Sequence, residues 1–183
     1  YEQPYEAKIA GLEDFGGEVV HPQFWPEELD HAGKRVVVIG SGATAVTLVP
    51  AMAETAGHVT MLQRTPTWMA SKPSRDKVSN FLRRVLPRKP AYWLSRKVNT
   101  LVFSLMYKAA RKNPQAAANK LSGMTRKELG EHYKPEDFTP PYNPWEQRLC
   151  LVPDSDFFRS IKQGKASIRT AHIERVEANG IRL

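Results

Sequence analysis

The most constraining feature of this sequence is a short apolar run followed at once by a glycine-rich loop and a helix. Residues 35–39 read Arg-Val-Val-Val-Ile, with consecutive β-branched side chains. Such a run is typical of a parallel strand that helices cover on both faces. Residues 43–56 have helical character, and Gly57 is expected to end that helix. A second strand follows at residues 59–63, so the sequence predicts a βαβ unit in an α/β fold with a parallel sheet.

The loop between the first strand and its helix predicts a phosphate-binding site. Its pattern is Gly-x-Gly-x-x-Ala, in which the first glycine permits a tight turn and the second lets the backbone approach a pyrophosphate. The pyrophosphate would lie on the free N–H groups at the helix N-terminus. A glycine turn without a ligand is the alternative, and the strand–loop–helix context argues against it. The candidate cofactor-binding residues of the loop are Gly40, Ser41, Gly42, Ala43, Thr44 and Ala45.

The end of the second strand favours NADPH over NADH. Sites for NADH usually carry an Asp or Glu about 20 residues after the loop, where it binds the ribose hydroxyls. Here the strand ends Gln63-Arg64-Thr65. Arg64 can bind a 2′-phosphate through paired, charge-assisted hydrogen bonds, and Thr65 offers a further hydroxyl. We therefore expect all three residues to belong to an NADPH site, the alternative for Arg64 being an ordinary surface arginine.

Three stretches of different character divide the chain. Residues 1–32 are broken repeatedly by Gly and Pro and are expected to form a linker. Residues 33–70 and 142–183 are expected to form a Rossmann-type NADP-binding domain, with a short helix at 154–163 and strands near 166–170, 173–178 and from 181. Residues 71–141 interrupt this domain as a mostly helical, basic insertion, with helices at about 76–86 and 91–112.

The positive charge of the chain belongs to the insertion. The whole chain has 27 Lys and Arg against 19 Asp and Glu, a net charge of +8. Residues 71–134 hold 16 basic and three acidic residues (+13), which leaves 11 basic and 16 acidic residues (−5) elsewhere. Whole-chain basicity is therefore no argument for nucleic-acid binding, and no nucleic-acid motif is present. Residues 91–112 mix apolar and basic side chains, which suits peripheral contact with an anionic membrane or, equally, a core-facing helix with a solvated basic side.

Cysteine and histidine usage argues against two kinds of site. Cys150 is the only cysteine, so an internal disulfide and a thiolate metal cluster are both impossible. We expect Cys150 to be a small buried hydrophobic side chain in a reducing cytoplasm. The five histidines show no metal-ligand spacing, so no metal site is expected. No apolar run reaches the ~18 residues of a membrane-spanning helix.

Two further stretches make the nucleotide motifs more specific. Residues 15–26 match F-x-G-x-x-x-H-x-x-x-W-P, and residues 142–153 read Tyr-Asn-Pro-Trp-Glu-Gln-Arg-Leu-Cys-Leu-Val-Pro. Together with the Gly40 loop and residues 63–66, they resemble the Baeyer–Villiger flavin monooxygenases, the class B flavoprotein monooxygenases. The stretch at 142–153 is similar to the branch that contains the ethionamide-activating monooxygenase. The resemblance covers nearly the whole chain.

This resemblance implies an enzyme that depends on NADPH and FAD. In the family, NADPH reduces FAD, and O2 then supplies one oxygen atom that is inserted beside a ketone carbonyl to give an ester or lactone. Thioethers and thioamides are further substrates. The implied catalytic residue is Arg148, which would stabilise the oxygen anion and guide hydride transfer, and a cation that keeps its proton suits that role. Many relatives have a lysine just before this arginine; Gln147 stands there in this chain and leaves more of the phosphate recognition to Arg64.

The resemblance also implies that the chain is a fragment of a longer enzyme. The family's FAD-binding motif and the part that completes the FAD domain lie outside these 183 residues, so the isolated chain is expected to bind nucleotide without turnover. His21 and Trp25 of the linker motif are expected to lock a loop or to act through domain movement, without acid–base chemistry. Another two-dinucleotide flavoprotein, such as a disulfide reductase, is the alternative that a redox-active cysteine pair would favour.

Overall fold

A computed structural model describes residues 7–183 and contains seven strands and six α-helices in that range. The strands are β1 (Arg35–Ile39), β2 (His58–Gln63), β3 (Trp68–Lys72), β4 (Leu149–Pro153), β5 (Ala166–Thr170), β6 (Arg175–Glu177) and β7 (Gly180–Arg182). The helices are α1 (Ala43–Met52), α2 (Lys77–Val85), α3 (Arg88–Lys112), α4 (Pro114–Leu129), α5 (Pro135–Phe138) and α6 (Asp156–Lys162).

The nucleotide-binding unit is a parallel sheet with the strand order β1-β2-β5. Ile39 lies opposite Leu62, and Gln63 lies opposite Thr170, so the carboxyl ends of all three strands meet at one edge. A separate parallel pair, β3 and β4, places Trp68 opposite Leu149, and β6 and β7 form an antiparallel hairpin. The predicted α/β fold with a parallel sheet and a mostly helical insertion is confirmed.

One continuous core joins the sheet, the helices and the insertion. The side chains of Phe157 and Phe158 on α6 are almost fully buried and pack with residues of α1, β2 and β4. Leu129 of α4 and Phe138 of α5 belong to the same cluster although both come from the predicted insertion. β3, which the sequence analysis missed, also extends from residue 68 to residue 72 across the boundary expected near residue 70. The second half of the insertion is therefore built into the core.

The expectation that both faces of β1 are covered is not met within the described residues. Val37 is 46% exposed and Ile39 is 48% exposed, whereas Val36 and Val38 are partly buried against the core. β1 is the edge strand of its sheet, and no element between residues 7 and 183 covers its outer face. An unbroken apolar run predicts the strand correctly, but it does not say which elements cover it.

Gly57 has a different role from the helix cap that the sequence suggests. α1 ends at Met52, and a short turn connects it to β2. The N–H of Gly57 donates to the carbonyl oxygen of Lys34 at 2.9 Å. A Cβ atom at Gly57 would lie only 2.5 Å from the carbonyl oxygen of Gly33, so close backbone approach requires glycine here.

The insertion begins with a helical hairpin formed by α2 and α3. Asp76 caps α2 by accepting hydrogen bonds from the N–H groups of Val78 and Ser79. Its carboxylate also accepts from the side-chain amide of Asn99 on α3 at 2.9 Å, which fixes the two helices to each other. The bonds from Asn99 and Ser79 lower the pKa of Asp76 well below its usual range. Within residues 7–183, no helix has the length and apolar character needed to cross a bilayer.

Candidate functional site

Gly40 makes the turn out of β1 in a conformation that suits glycine alone. Its φ angle is +122°, a region that L-residues with a side chain avoid. Its N–H donates to the carbonyl oxygen of Leu62 near the end of β2 at 2.7 Å. The first glycine of the loop thus has the role that the pattern predicts, and the loop begins where the ends of β1 and β2 meet.

Gly42 stands at the N-terminus of α1. It is the N-cap residue, and no side chain caps the helix there. Ala43 and Thr44 are exposed, while Ala45 is buried against the core. The N–H groups in the first turn of an uncapped helix are unsatisfied hydrogen-bond donors, and the helix dipole adds positive potential at the same place. The geometry therefore suits the predicted pyrophosphate site.

Ser41, between the two glycines, is turned into the protein. The residue is 5% exposed, and its hydroxyl shares a hydrogen bond with the Thr67 hydroxyl at 2.9 Å and donates to the carbonyl oxygen of Thr65 at 3.2 Å. The thiol of Cys150 donates to the Ser41 carbonyl oxygen at 3.7 Å. Ser41 therefore ties the loop to the chain after β2 and to β4, and its hydroxyl is already engaged inside the protein.

Cys150 is the small buried side chain that the sequence predicts. It lies in the core cluster and is 4% exposed. Burial raises the pKa of its thiol, against the opposing influence of the Arg148 cation. The neutral thiol is therefore the form that the site favours.

The three residues predicted at the end of β2 separate into one interior and two surface positions. Gln63 is 1% exposed, and its amide N–H group donates to the carbonyl oxygen of Asp137 at 2.8 Å and to the Thr170 hydroxyl at 2.9 Å. Arg64 is exposed, and Thr65 is half-buried with its carbonyl bonded to Ser41. The Gln63 side chain is thus held in the interior, whereas the Arg64 side chain is open to solvent.

A buried carboxyl group lies beside this strand end. The Thr170 hydroxyl donates to Oδ1 of Asp137 at 2.7 Å, so Asp137, Gln63 and Thr170 form one network across α5, β2 and β5. Burial raises the pKa of Asp137, and the Thr170 hydrogen bond opposes that shift. Sequence reasoning missed this network because Asp137 lies far along the chain from β2 and belongs to no recognisable motif.

Arg148 meets the phosphate loop directly. A Cβ atom built on Gly42 would lie 3.6 Å from Nη1 of Arg148, so the guanidinium group occupies the space beside the second glycine. Arg148 is exposed, and it immediately precedes β4. Gln147 is also exposed. Two predictions made from separate parts of the sequence, the loop and the arginine, thus come together in one place.

The segment before Arg148 is braced by the insertion. Trp145 has a positive φ of 67°, an uncommon conformation for a bulky residue, and its ring meets Tyr107 of α3 edge to face at 6.0 Å. Glu146 accepts from the N–H and the side chain of Asn143 at 2.9 and 2.8 Å, and it pairs with Arg111 of α3 at 3.9 Å. These contacts hold the turn from which Arg148 projects, and no sequence pattern signalled them.

The linker motif contacts the segment beside the β6–β7 hairpin and its own neighbours in the chain. The N–H of Gly16 donates to the carbonyl oxygen of Ala178 at 3.0 Å, next to the β6–β7 hairpin. His21 accepts at Nδ1 from the N–H of Gln23 at 3.2 Å, and the Trp25 ring meets His31 edge to face. Within residues 7–183 no group of His, Cys, Asp and Glu could hold a metal ion.

Comparison with known proteins places this geometry in context. The model of a family described as "Flavin-binding monooxygenase-like" matches residues 2–122. The FAD-containing monooxygenase EthA of Mycobacterium tuberculosis (strain H37Rv) is 49% identical over 185 residues, which is 100% of this chain and 38% of EthA. The chain therefore spans about two fifths of the length of this curated relative.

Two solved structures share the fold. A structure of OTEMO in complex with FAD and NADP aligns with a TM-score of 0.68 at 21% identity, covering 97% of this chain and 42% of that one. Cyclohexanone monooxygenase from Rhodococcus sp. Phi1, bound to NADP+, aligns with a TM-score of 0.63 at 17% identity, covering 98% and 41%. Both alignments extend over almost the whole chain, so the strand–loop–helix unit and the helical insertion belong to one shared architecture.

Proposed function

This chain belongs to the flavin-binding monooxygenase-like family, and we propose that it is the NADPH-binding part of an FAD-dependent monooxygenase. The longer enzyme would use O2 to convert ketones into esters or lactones by Baeyer–Villiger oxidation. By itself the chain would bind NADPH without turnover, because the FAD site lies mostly outside it. The proposed domains are the linker at 1–32, the NADP-binding domain at 33–70 and 142–183, and the insertion at 71–141.

The observation that carries this proposal is the position of Arg148 beside the phosphate loop. A guanidinium group 3.6 Å from the Cβ position of Gly42 would lie next to a pyrophosphate bound at the N-terminus of α1. A helix terminus already suffices to bind an anion. The guanidinium group of Arg148 adds a permanent positive charge at the same place, which supports a role in stabilising negative charge that develops during a reaction.

Different residues of the chain would bind different parts of NADPH. The backbone N–H groups of residues 42–45 would hold the pyrophosphate, and exposed Arg64, with Thr65, would bind the 2′-phosphate. When bound, NADPH supplies a hydride and FAD supplies the centre at which O2 reacts. Arg148 keeps its proton and so provides a fixed positive charge next to the loop. Gln147 is neutral, which leaves Arg64 as the proposed cation for the 2′-phosphate.

The substrate class is proposed from the relatives. One structural neighbour is a cyclohexanone monooxygenase with NADP+ bound, which supports a small ketone as substrate. Thioethers and thioamides are added because residues 142–153 resemble the ethionamide-activating branch. We propose that the enzyme is cytoplasmic and that residues 91–112 contact the membrane surface peripherally.

The test is substitution of Arg148 in the full-length protein. Arg148→Ala should lower NADPH-dependent ketone oxygenation by about 100–1000-fold, as expected for loss of one group that stabilises an oxyanion. The dissociation constant of NADP+ should rise by no more than about tenfold, the lower end of the cost of losing one charge-assisted hydrogen bond to a phosphate, because the helix terminus and Arg64 remain. Arg35→Ala, an exposed arginine at the start of β1, is the matched control and should keep normal activity. Normal oxygenation by Arg148→Ala would show that the assignment is wrong.

A second candidate is the NAD(P)-binding domain of another two-dinucleotide flavoprotein, such as a disulfide reductase. The parallel sheet and loop suit both candidates, and the linker motif at 15–26 and Arg148 disfavour this one. The full-length protein supplied with NADPH distinguishes them, because a monooxygenase consumes O2 when a ketone is added, whereas a reductase reduces a disulfide without O2.

A further inference from the structure

The helical hairpin of α2 and α3 concentrates exposed apolar side chains. Eleven of the nineteen large apolar residues exposed in the described part of the chain lie between residues 78 and 107. The most exposed are Phe81, Tyr92, Trp93, Leu101 and Val85, each 57–62% exposed. Single apolar side chains on a surface are ordinary, but a group of this size marks an interaction site. We call the exposed side chains from Lys77 to Lys112 the cationic apolar surface.

The same surface carries positive charge alone. Residues 77–112 contain ten Lys and Arg and no Asp or Glu. Among the described residues, Arg111 is the only one of these ten in an ion pair. Lys97 lies over the Trp93 ring, with its ammonium nitrogen 5.7 Å from the ring centre, so one cation and one aromatic ring of this surface are in close contact. A partner must therefore accept apolar side chains and satisfy many cations at once.

An anionic bilayer surface meets both requirements. Aromatic side chains such as Tyr92 and Trp93 favour the boundary between headgroups and acyl chains, and Lys and Arg extend to the phosphates beside them. On α2, Val78, Phe81 and Val85 recur at helical spacing, and Arg84 lies next to that stripe. A protein surface that covered the same side chains would have to bury or pair the neighbouring cations.

We propose that α2 and α3 dock the protein on an anionic phospholipid bilayer, lying in the interface rather than crossing it. The hairpin is preformed for this, because Asp76 caps α2 and binds Asn99 of α3. α3 has 25 residues and is about 37 Å long, so it offers an extended edge to a flat surface. The proposal extends the contact expected for residues 91–112 to α2, and it does not depend on the monooxygenase activity.

The experiment is flotation of the full-length protein with lipid vesicles. Vesicles of phosphatidylcholine and phosphatidylglycerol (7:3) should bind the protein at low salt, and vesicles of phosphatidylcholine alone should bind it weakly. Arg84→Gln with Arg96→Gln should weaken binding by about thirtyfold, since each cation near an anionic surface is worth about fivefold. Phe81→Ser with Trp93→Ser should weaken it by about tenfold or more at any salt concentration.

Matched controls lie outside the surface. Lys162→Gln with Lys165→Gln removes two exposed cations near α6, and Phe24→Ser removes an aromatic ring that is 59% exposed; both variants should bind vesicles normally. Failure of the wild-type protein to bind anionic vesicles would overturn the proposal, as would equal loss in the controls. If the wild type does not bind vesicles and the double variant Phe81→Ser, Trp93→Ser melts at a lower temperature, other parts of the protein cover this surface and the proposal is wrong. If the protein binds a DNA duplex with and without this double substitution but does not bind vesicles, the partner is a nucleic acid and the proposal is wrong.

Discussion

The two glycines of the phosphate loop should respond in opposite ways to replacement by alanine. At Gly40 the obstacle is conformation, because φ is +122° while a Cβ atom would meet nothing within 4 Å. At Gly42 the backbone is ordinary, with φ −78° and ψ 179°, and a Cβ atom would meet only Nη1 of Arg148 at 3.6 Å. Gly40→Ala therefore perturbs the fold, whereas Gly42→Ala perturbs the space that a pyrophosphate would enter.

The expected magnitudes follow from these geometries. Holding a non-glycine residue in a disfavoured backbone region costs about 1–3 kcal/mol. For a domain of 150–250 residues that unfolds as one unit, that lowers the melting temperature by about 2–12 °C. Gly42→Ala should cost only about 1 kcal/mol, because alanine is a poorer N-cap residue than glycine but adopts this backbone conformation without strain. Losing one backbone hydrogen bond to a charged phosphate costs about 1.5–3 kcal/mol, so Gly42→Ala should weaken NADP+ binding by about 10–150-fold.

The assay combines thermal unfolding with calorimetric titration of NADP+ into the full-length protein. Gly40→Ala should melt at a lower temperature, and Gly42→Ala should melt near the wild type but bind NADP+ poorly. Circular dichroism would confirm that Gly42→Ala is folded. Wild-type affinity for NADP+ in Gly42→Ala would refute the placement of the pyrophosphate at this glycine, whatever Gly40→Ala does.

Further predictions concern the strand end and the arginine turn. Arg64→Ala should weaken NADP+ binding by about 10–150-fold and leave NAD+ binding nearly unchanged in calorimetry; equal losses would remove Arg64 from the 2′-phosphate site. Thr170→Val should cost about 1–3 kcal/mol in urea unfolding by taking the donor from Asp137, and Thr170→Ser should restore most of it. Burial raises the pKa of Asp137 above 3.8, so the folded state binds the proton more tightly than the unfolded state and loses stability as pH rises through the folded pKa. The melting temperature of Asp137→Asn minus that of the wild type should therefore increase from pH 4 to pH 7. A difference that stays constant over this range would contradict the prediction. Tyr107→Ala should lower the kcat of oxygenation several-fold with little change in KM for NADPH, and Tyr107→Phe should restore it, because the contact with Trp145 uses only the ring; an unchanged kcat in Tyr107→Ala would show that the turn needs no support.

Local patterns in the sequence predicted the parts of the fold that depend on local physics. The apolar run at 35–39, the glycine loop and the strands near 59–63 and 166–170 each follow from residue type and spacing, and the structure confirms them. The helices expected at about 76–86 and 91–112 also form. The sequence did not predict α4, although its start carries recognisable signals: Asn113 is the N-cap and Pro114 lies in the first turn.

What the sequence could not provide was long-range contact. Gln63 was expected at the cofactor site because of its position at a strand end, yet its amide is held by Asp137 and Thr170 from two other elements. The exposed outer face of β1 is a similar case, since burial depends on which elements lie beside a strand. Motifs give the types of group at a site, whereas the packing of distant segments decides which of those groups face a ligand.

The insertion gives the clearest example of such packing, because it links the two surfaces proposed to bind ligands. α3 contributes exposed apolar and basic side chains to the cationic apolar surface, and its C-terminal half holds the turn before Arg148 through Tyr107 and Arg111. A rigid helix that contacts both places can transmit a constraint from one to the other. If α3 docks on a bilayer, vesicle binding should therefore alter the rate of oxygenation in the wild-type enzyme. The same vesicles should have a smaller effect in Tyr107→Ala, in which the link between α3 and the turn is weakened.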